Sequence, residues 1–317
     1  MNDQQNMTPM ITIGVTCFNA ENTIESAVRS AQEQDWPNLE ILIVDDGSTD
    51  RSVEIIRKIA VQDDRIRLVC HEKNKGTATT RNSILRHAKG EYISFFDDDD
   101  ISKPDRITKQ YRRIVEYNKK NMAEIIFCYT NRSVIKPGEN SPVNTYYAIG
   151  RQSLVPNGSS LADFLLWHYE DPEYSWGHVG SCTLMFHRDA ISKVGDFDER
   201  FRRCAEWDWA IRAAFQGAHF ISVNEPLVIQ RITCTEDKSG KIPLYYTLLL
   251  RKKYKGYLKK KHVYLASIAI AYVRFYYARG CKWRSRFSLL LSCICAPHLV
   301  LVNEWRKYWQ RKKYLGI

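Results

Sequence analysis

EYISFFDDDD, residues 91–100, joins a short aromatic and β-branched run to four consecutive aspartates. Glu91–Phe96 reads as a buried strand, because a compact apolar run bounded by polar residues suits a sheet interior. Asp97–Asp100 then crowds four carboxyl groups at the strand's end. At separations of about 4–8 Å they repel one another unless water or a cation compensates. A solvated acidic loop is one reading; a divalent site is the other, and the position directly after a buried strand favours it. Hard oxygen ligands suit Mg²⁺ or Mn²⁺, held between carboxylates and substrate phosphates.

Working outward, the same strand-then-turn pattern repeats upstream. Met10–Phe18 (MITIGVTCF), Leu39–Val44 (LEILIV) and Arg65–Cys70 (RIRLVC) are further strands. Helical stretches separate them: TIESAVRSAQEQ after Asn22, STDRSVEIIRKIA from Ser48, and Thr77–Ala88. Strands alternating with helices of this length predict an α/β fold, a mostly parallel Rossmann-like sheet flanked by helices. Ligands of such sheets sit beyond the carboxyl ends of the strands. That rule selects Thr16–Glu21, Asp45–Ser48 and Asp97–Asp100, and so marks Glu21 along with Thr16 and Phe18.

Composition sets the wider bounds. The 317 residues carry a net charge of +11, unevenly divided: residues 251–317 hold 17 Lys and Arg and one acid, Glu304. The remaining 250 residues have a net of −5. A mildly acidic body with a basic tail argues against a uniformly cationic nucleic-acid binder, and no nucleic-acid partner is expected. Nine scattered cysteines without a CxxC pair suit free thiols in a reducing compartment. The polar N-terminus lacks a signal-peptide pattern. The longest apolar run, Phe287–Val302, is interrupted by Pro297 and falls short of the roughly 20 residues a spanning helix needs. A cytoplasmic protein, peripheral on the inner face of the plasma membrane, is expected.

Taken in order, several segments resemble the family 2 glycosyltransferases, inverting enzymes with the GT-A fold. They are IGVTCFN (13–19), Ser30–Gln34, EILIVDDGSTD (40–50), Gly76 with Arg81-Asn82, GEYISFFDDDD (90–100), Pro104-Asp105-Arg106, GDFDERF (195–201) and EWDWAIR (206–212). The likeness spans about residues 10–232 and includes bacterial enzymes of cell-surface polysaccharide synthesis. It implies a glycosyltransferase domain over residues 1–240, with a nucleotide-sugar half (about 10–130) and an acceptor half (about 131–240). Residues 241–317 are left as a basic amphipathic helical tail.

The resemblance also implies roles. Thr16 and Phe18 would line the nucleotide pocket, Asp46 would read a uracil edge, and Arg81 would lie nearby. A carboxylate can accept the imide proton of uracil, which suits a UDP-sugar donor. Asp97 and Asp99 match the ends of the family's Asp-x-Asp element and would hold the metal, with Asp97 or Asp98 on the ribose. The general base would be the acidic residue six positions before Arg212, which is Glu206; the usual acidic neighbour is Ala205 here. Asp208 stays open as a second candidate base, although its spacing from Arg212 also suits an i,i+4 ion pair. One base and no nucleophile imply single displacement with inversion.

On the acceptor side, Trp176, Gly177, His178 and Ser181 read as a sugar-binding loop, an aromatic face among polar groups. Trp207 and Trp209 flank Glu206, and on a helix at most one of them faces the site. The tail's mixture of Lys and Arg with Trp and Tyr fits an anionic membrane surface. The alternatives for it are a helical cap and a contact with a second copy of the chain, giving a homodimer. Membrane attachment suits a lipid-diphosphate-linked saccharide as acceptor, in O-antigen or capsule type synthesis. Two rival readings remain: a nucleotidyltransferase of related fold, which would want a Gly-rich loop where Phe18–Asn22 stands, and a non-catalytic adaptor tethered to membrane or RNA.

Overall fold

The computed structural model describes residues 8–136, 139, 141–231 and 240–297. The N-terminal half alternates as the sequence predicts: β1 (Ile11–Cys17), α1 (Ile24–Gln32), β2 (Leu39–Asp45), α2 (Ser52–Ala60), β3 (Ile66–Cys70), α3 (Thr77–His87) and β4 (Tyr92–Asp97). These four strands pair in parallel, in the order β3-β2-β1-β4. β1 and β2 are apolar on both faces because helices cover both. Ile11, Ile13 and Val15 pack towards α1, whose Ile24, Val28 and Ala31 are buried. On the other face, Gly14 admits α3: a Cβ there would lie 2.4 Å from the Ile84 side chain.

The rest of the sheet departs from the parallel pattern. β5 (Asp100–Ser102) follows β4 after only Asp98-Asp99, then come α4 (Arg106–Asn121), β6 (Ile126–Ile135), β7 (Asn144–Tyr146), α5 (Ser159–Trp167), β8 (Met185–His187), α6 (Ala190–Val194), α7 (Ala205–Phe215) and β9 (His219–Arg231). The order continues β4-β8-β6-β9-β5, with β7 beside β6. β8 is antiparallel to β4 and β6, and β5 is antiparallel to β9. Two residues therefore join strands that have three others between them in the sheet, so the sheet must curl to bring its far edge back to β4. Arg106 pins that curl. Fully buried, it donates to the Phe95 carbonyl at 3.0 Å and the Ser102 hydroxyl at 2.9 Å, and it sits 4.2 Å from the centre of the Phe96 ring. Burial pushes its pKa down to about 10, leaving it charged beneath the aspartate block.

The larger core lies between the sheet and α7. Trp209 stacks on Phe127 and Phe197, each at 4.7 Å between ring centres, and is itself buried. The C-terminal segment forms α8 (Ile242–Lys253), α9 (Lys255–Lys260), α10 (Tyr264–Ala278) and α11 (Lys282–Cys295). Leu250, Leu258, Val263, Ala266 and Ile270 join the same core. Part of the tail's positive charge is spent on the acidic body: Lys253 reaches Asp208 at 2.6 Å and Asp198 at 2.7 Å, and Lys261 reaches Asp163 at 2.9 Å. These helices thus pack as the cap considered from sequence. The tail's last residues, 298–317, lie outside the described residues, as do Cys234 and the end of the Phe287–Val302 run. Among the described residues no helix is long and apolar enough to cross a membrane, and no disulfide joins two of the described cysteines.

Candidate active site

The carboxyl ends of β1, β2 and β4 open into a cavity of about 1050 Å³, which the loops before α7 and β8 close from the opposite side. Thr16, Phe18, Asp46, Arg81 and Asp97–Asp99 line one end. His178, Ser181, Glu206 and Trp207 line the other.

At the first end the loops are tied by side-chain-to-backbone bonds. The Phe18 amide donates to Asp98 Oδ2 at 2.8 Å, leaving the Phe18 ring largely exposed. Asn19 Oδ1 accepts the Thr49 amide at 2.8 Å and so fixes the β1 loop to the β2 loop. Asp46 is buried and accepts the amides of Lys75 and Gly76 at 3.0 and 2.7 Å, with His71 Nδ1 at 2.7 Å. Its carboxylate thus organises the turn into α3 as well as facing the cavity. Gly47, beside it, has φ +75° and backs onto the Lys73 backbone, which leaves no room for a side chain. Arg81 is buried with its guanidinium 3.8 Å from Asp97 Oδ1. Glu21 turns to Arg51 at 3.2 Å and does not line the cavity.

Two members of the aspartate block, Asp98 and Asp100, are held away from their usual ionisation. Burial, reinforced by Asp99 and Asp97, pushes Asp98 up to about 8 against the stabilising Phe18 amide. Asp100, at the start of β5, is buried, and among the described residues no N–H or hydroxyl donor reaches its carboxylate oxygens, with only the Cys182 thiol beside them. Burial first, then the charges of Asp97 and Asp99, hold its pKa well above the usual carboxylate range. Ligand atoms of Asp97, Asp100 and Cys182 all lie within 4.8 Å of one another. Sequence pairs Asp97 with Asp99 as metal ligands; the structure brings Asp97 together with Asp100 and Cys182, while Asp99 faces the cavity. β5 turns back at once, so the fourth aspartate points beneath the first. The buried Asp100 oxygens, close to the Asp97 carboxylate, fit a hard divalent cation. The Cys182 thiol is pushed up by burial and by Asp100, and its sulfur receives Arg132 Nη1 at 3.6 Å.

At the other end, Glu206 occupies the first turn of α7 and opens on the cavity. Asp208, two residues on, is fully buried: it accepts Arg212 Nε at 3.0 Å, Lys253 Nζ at 2.6 Å and the Tyr254 hydroxyl at 2.8 Å, and it does not line the cavity. The i,i+4 pair is therefore formed. Of the two tryptophans, Trp207 borders the cavity and Trp209 is core. Trp176 does not reach the cavity. Its ring stacks on Phe164 at 4.6 Å and its Nε1 donates to the Asp171 carbonyl, so Phe164 presents the aromatic surface instead. His178 does line the cavity; burial and then the Arg132 charge push it down to about 3, so it stays neutral. Cys182, Arg202, Arg203 and Arg274 escape the sequence reading, which marks Asp100 only as a member of the aspartate block. A lone charge in the apolar stretch SIAIAYVRFYYA was the available signal for Arg274.

The family model for glycosyl transferase family 2 matches residues 12–191. The putative teichuronic acid biosynthesis glycosyltransferase TuaG of Bacillus subtilis is 38% identical over 111 residues, 35% of this chain and 44% of that protein. WfaP of Escherichia coli, a UDP-Glc:α-D-GlcNAc-diphosphoundecaprenol β-1,3-glucosyltransferase, is 37% identical over 127 residues, 40% of this chain and 47% of that protein. The matched stretches thus span less than half the length of these two relatives. Among solved structures, S. aureus TarS 1–349 in complex with UDP-GlcNAc superposes with a TM-score of 0.60 at 16% identity, covering 92% of this chain and 82% of that one. The mannosyltransferase PcManGT of Pyrobaculum calidifontis, in complex with GDP-Man and Mn²⁺, gives 0.56 at 17% identity, covering 98% and 82%. A curled, GT-A type sheet with acids at its carboxyl edge, and a family match over more than half the residues, make the chain a member of glycosyl transferase family 2.

Proposed function

We propose that the protein transfers a sugar from a UDP-sugar to a hydroxyl of a lipid-diphosphate-linked saccharide, with inversion, in cell-surface polysaccharide synthesis. The observation that carries this reading is the single cavity shared by the aspartate block and Glu206. Phe18 and Thr16 offer a face and a hydroxyl to the nucleoside, beside Asp46 and Arg81. Asp97, Asp99 and Asp100 are the residues that would hold Mg²⁺ or Mn²⁺, which when bound supplies counter-charge to the leaving diphosphate. Glu206, in the first turn of α7, takes the proton from the acceptor hydroxyl. The hydroxyl oxygen then displaces UDP from the opposite face of the anomeric carbon, so an α-linked donor gives a β-glycoside. Trp207 and Phe164 flank the acceptor sugar.

The acceptor class rests on relatives such as WfaP, and α11 supports it from this chain. Its small residues Ser285, Ser288 and Ser292 are turned inward, while Trp283, Phe287, Leu290, Leu291 and Ile294 face solvent. With Lys282, Arg284 and Arg286 interleaved, this face fits an anionic membrane surface, which supports the reading of a peripheral enzyme on the inner leaflet. A panel of UDP-sugars, read by released UDP with and without Mn²⁺, tests the reading. Transfer from at least one donor is expected. A chain that bound no UDP in either condition would be an adaptor instead.

A further inference from the structure

Asp46 lines the cavity with a carboxylate whose two oxygens are unequally used. Oδ1 accepts His71 Nδ1 at 2.7 Å and the Lys75 amide at 3.0 Å, whereas among the described residues Oδ2 accepts only the Gly76 amide, at 2.7 Å. Both amides belong to the turn into α3, but His71 reaches Asp46 by another route. β2 and β3 run in parallel with Asp45 beside Cys70, and the His71 amide donates to the Asp45 carbonyl at 2.9 Å. The register thus carries Asp46 and His71 out of the sheet side by side, with side chains only 4% and 8% exposed. The second ring nitrogen of His71, Nε2, lies 2.8 Å from the Ser83 hydroxyl in the middle of α3. Thr77, Thr80 and Arg81 of that helix line the cavity; Ser83 and His71 do not. His71 therefore stands behind the carboxylate, tying it to a helix rather than touching what it faces.

We propose that His71 is a positioning residue for nucleobase selection, holding Asp46 as an acceptor-only edge through the bonds that join Ser83, His71 and Asp46. The proposal rests on the reading of Asp46 as the residue that meets the donor's base, and adds what makes that edge selective. A carboxylate has no proton to give, so Nδ1 donates to Asp46; the neutral ring then carries its lone pair on Nε2, which accepts the Ser83 hydroxyl proton. Held this way, the carboxylate pairs with a base that presents a ring N–H, as uracil does at N3. Cytosine presents a lone pair at N3 and is repelled. Without Nδ1–H behind it, the group is free to rotate or to take up a proton, and a carboxyl that also donates no longer tells the two bases apart.

The test is calorimetric titration of the full-length protein with UDP, CDP and inorganic pyrophosphate, each in the presence of Mn²⁺. The wild type should prefer UDP to CDP. His71→Gln, whose longer amide reaches towards Ser83 instead of Asp46, should cut that preference at least about tenfold, as expected for loss of a hydrogen bond to a charged group. His71→Asn, whose amide nitrogen falls near the place of Nδ1, should keep it within about threefold on the same basis. Ser83→Ala should lower it by less than His71→Gln does. Pyrophosphate has no base and should bind every variant as it binds the wild type. A packing role would weaken all three ligands together, in the order of the variants' unfolding midpoints, and leave the UDP-to-CDP ratio fixed; that result overturns the proposal. An undiminished ratio in folded His71→Gln overturns it too, while leaving Asp46 as the base reader. If His71→Gln fails to fold, an unchanged ratio in Ser83→Ala is the overturning result. A wild type with no preference for UDP over CDP would remove Asp46 from base reading, and the role of His71 with it.

Discussion

At one end of the cavity, three consecutive strand ends deliver Thr16, Asp46 and Asp97 within the first hundred residues, on loops braced by backbone amides. At the other end, the wall is gathered from the 177–182 loop, the 202–207 turn and a helix some seventy residues further on. The first arrangement follows from strand order alone, because a parallel sheet presents its carboxyl edge to the ligand. The second depends on the C-terminal helices being docked. The donor end should therefore tolerate loss of chemistry without loss of fold, and the acceptor end should show both kinds of damage within a few residues.

Glu206 and Asp208 give the largest contrast. Glu206→Gln should lower turnover by about 10²–10⁴-fold, the usual contribution of a general base, and change stability by less than about 0.5 kcal/mol, because the side chain opens on the cavity. Stopped assays of UDP release and a urea titration check the two halves; an undiminished rate would remove Glu206 from the chemistry. Asp208→Asn should do the reverse. It strands Arg212 and Lys253 around a buried amide, at a cost of about 3–5 kcal/mol. Limited proteolysis should then cut between α7 and α8 more readily. If stability held, the docking of α8 would not depend on this pair.

The donor end provides a smaller effect. Phe18 is 43% exposed and its ring makes no part of the core, so Phe18→Ala should leave the unfolding midpoint unchanged. Its loss should weaken UDP binding by about 1–3 kcal/mol, the range for a base stacked on an aromatic ring. Calorimetry with UDP and with free diphosphate would separate the base from the phosphates: only UDP should be affected.

How much of this was legible in the sequence follows the same division. β1 to β4 announce themselves because a strand covered on both faces is a continuous apolar run, and the aspartate block stands out because nothing inside a fold tolerates it uncompensated. β5 and β8 are three residues each, too short to show alternation, and so the turn-back that buries Asp100 and the antiparallel pairings of these two strands were hidden. Spacing correctly separated Trp207 from Trp209 and paired Asp208 with Arg212, since helical geometry is local. It had no way to turn Trp176 away from the cavity, a choice made by its stack on Phe164. Nor did it reveal the contact of Arg274 with Trp207, 67 positions apart in the chain.

The smallest effect on the fold, and the sharpest separation of the acceptor end from the body, is expected on α11. A helix that only capped the domain would turn its large apolar side chains inward, yet here the inner positions are serines; Ser285 donates to the Val273 carbonyl at 3.0 Å. Trp283 and Phe287, 68% and 56% exposed, lie on the outer face beside Lys282, Arg284 and Arg286. Water gains nothing from that arrangement, whereas an anionic lipid surface would remove about 1.5–3 kcal/mol of apolar exposure per inserted side chain. The double variant Trp283→Ala/Phe287→Ala should therefore shift stability by less than about 0.5 kcal/mol and leave turnover on a short-chain soluble acceptor unchanged. Flotation with phosphatidylglycerol-containing vesicles should fall at least about tenfold and use of a long-chain lipid acceptor should fall with it. Flotation at wild-type levels would mean that α11 meets something other than the membrane, and the acceptor would then have to reach the cavity without help from the tail.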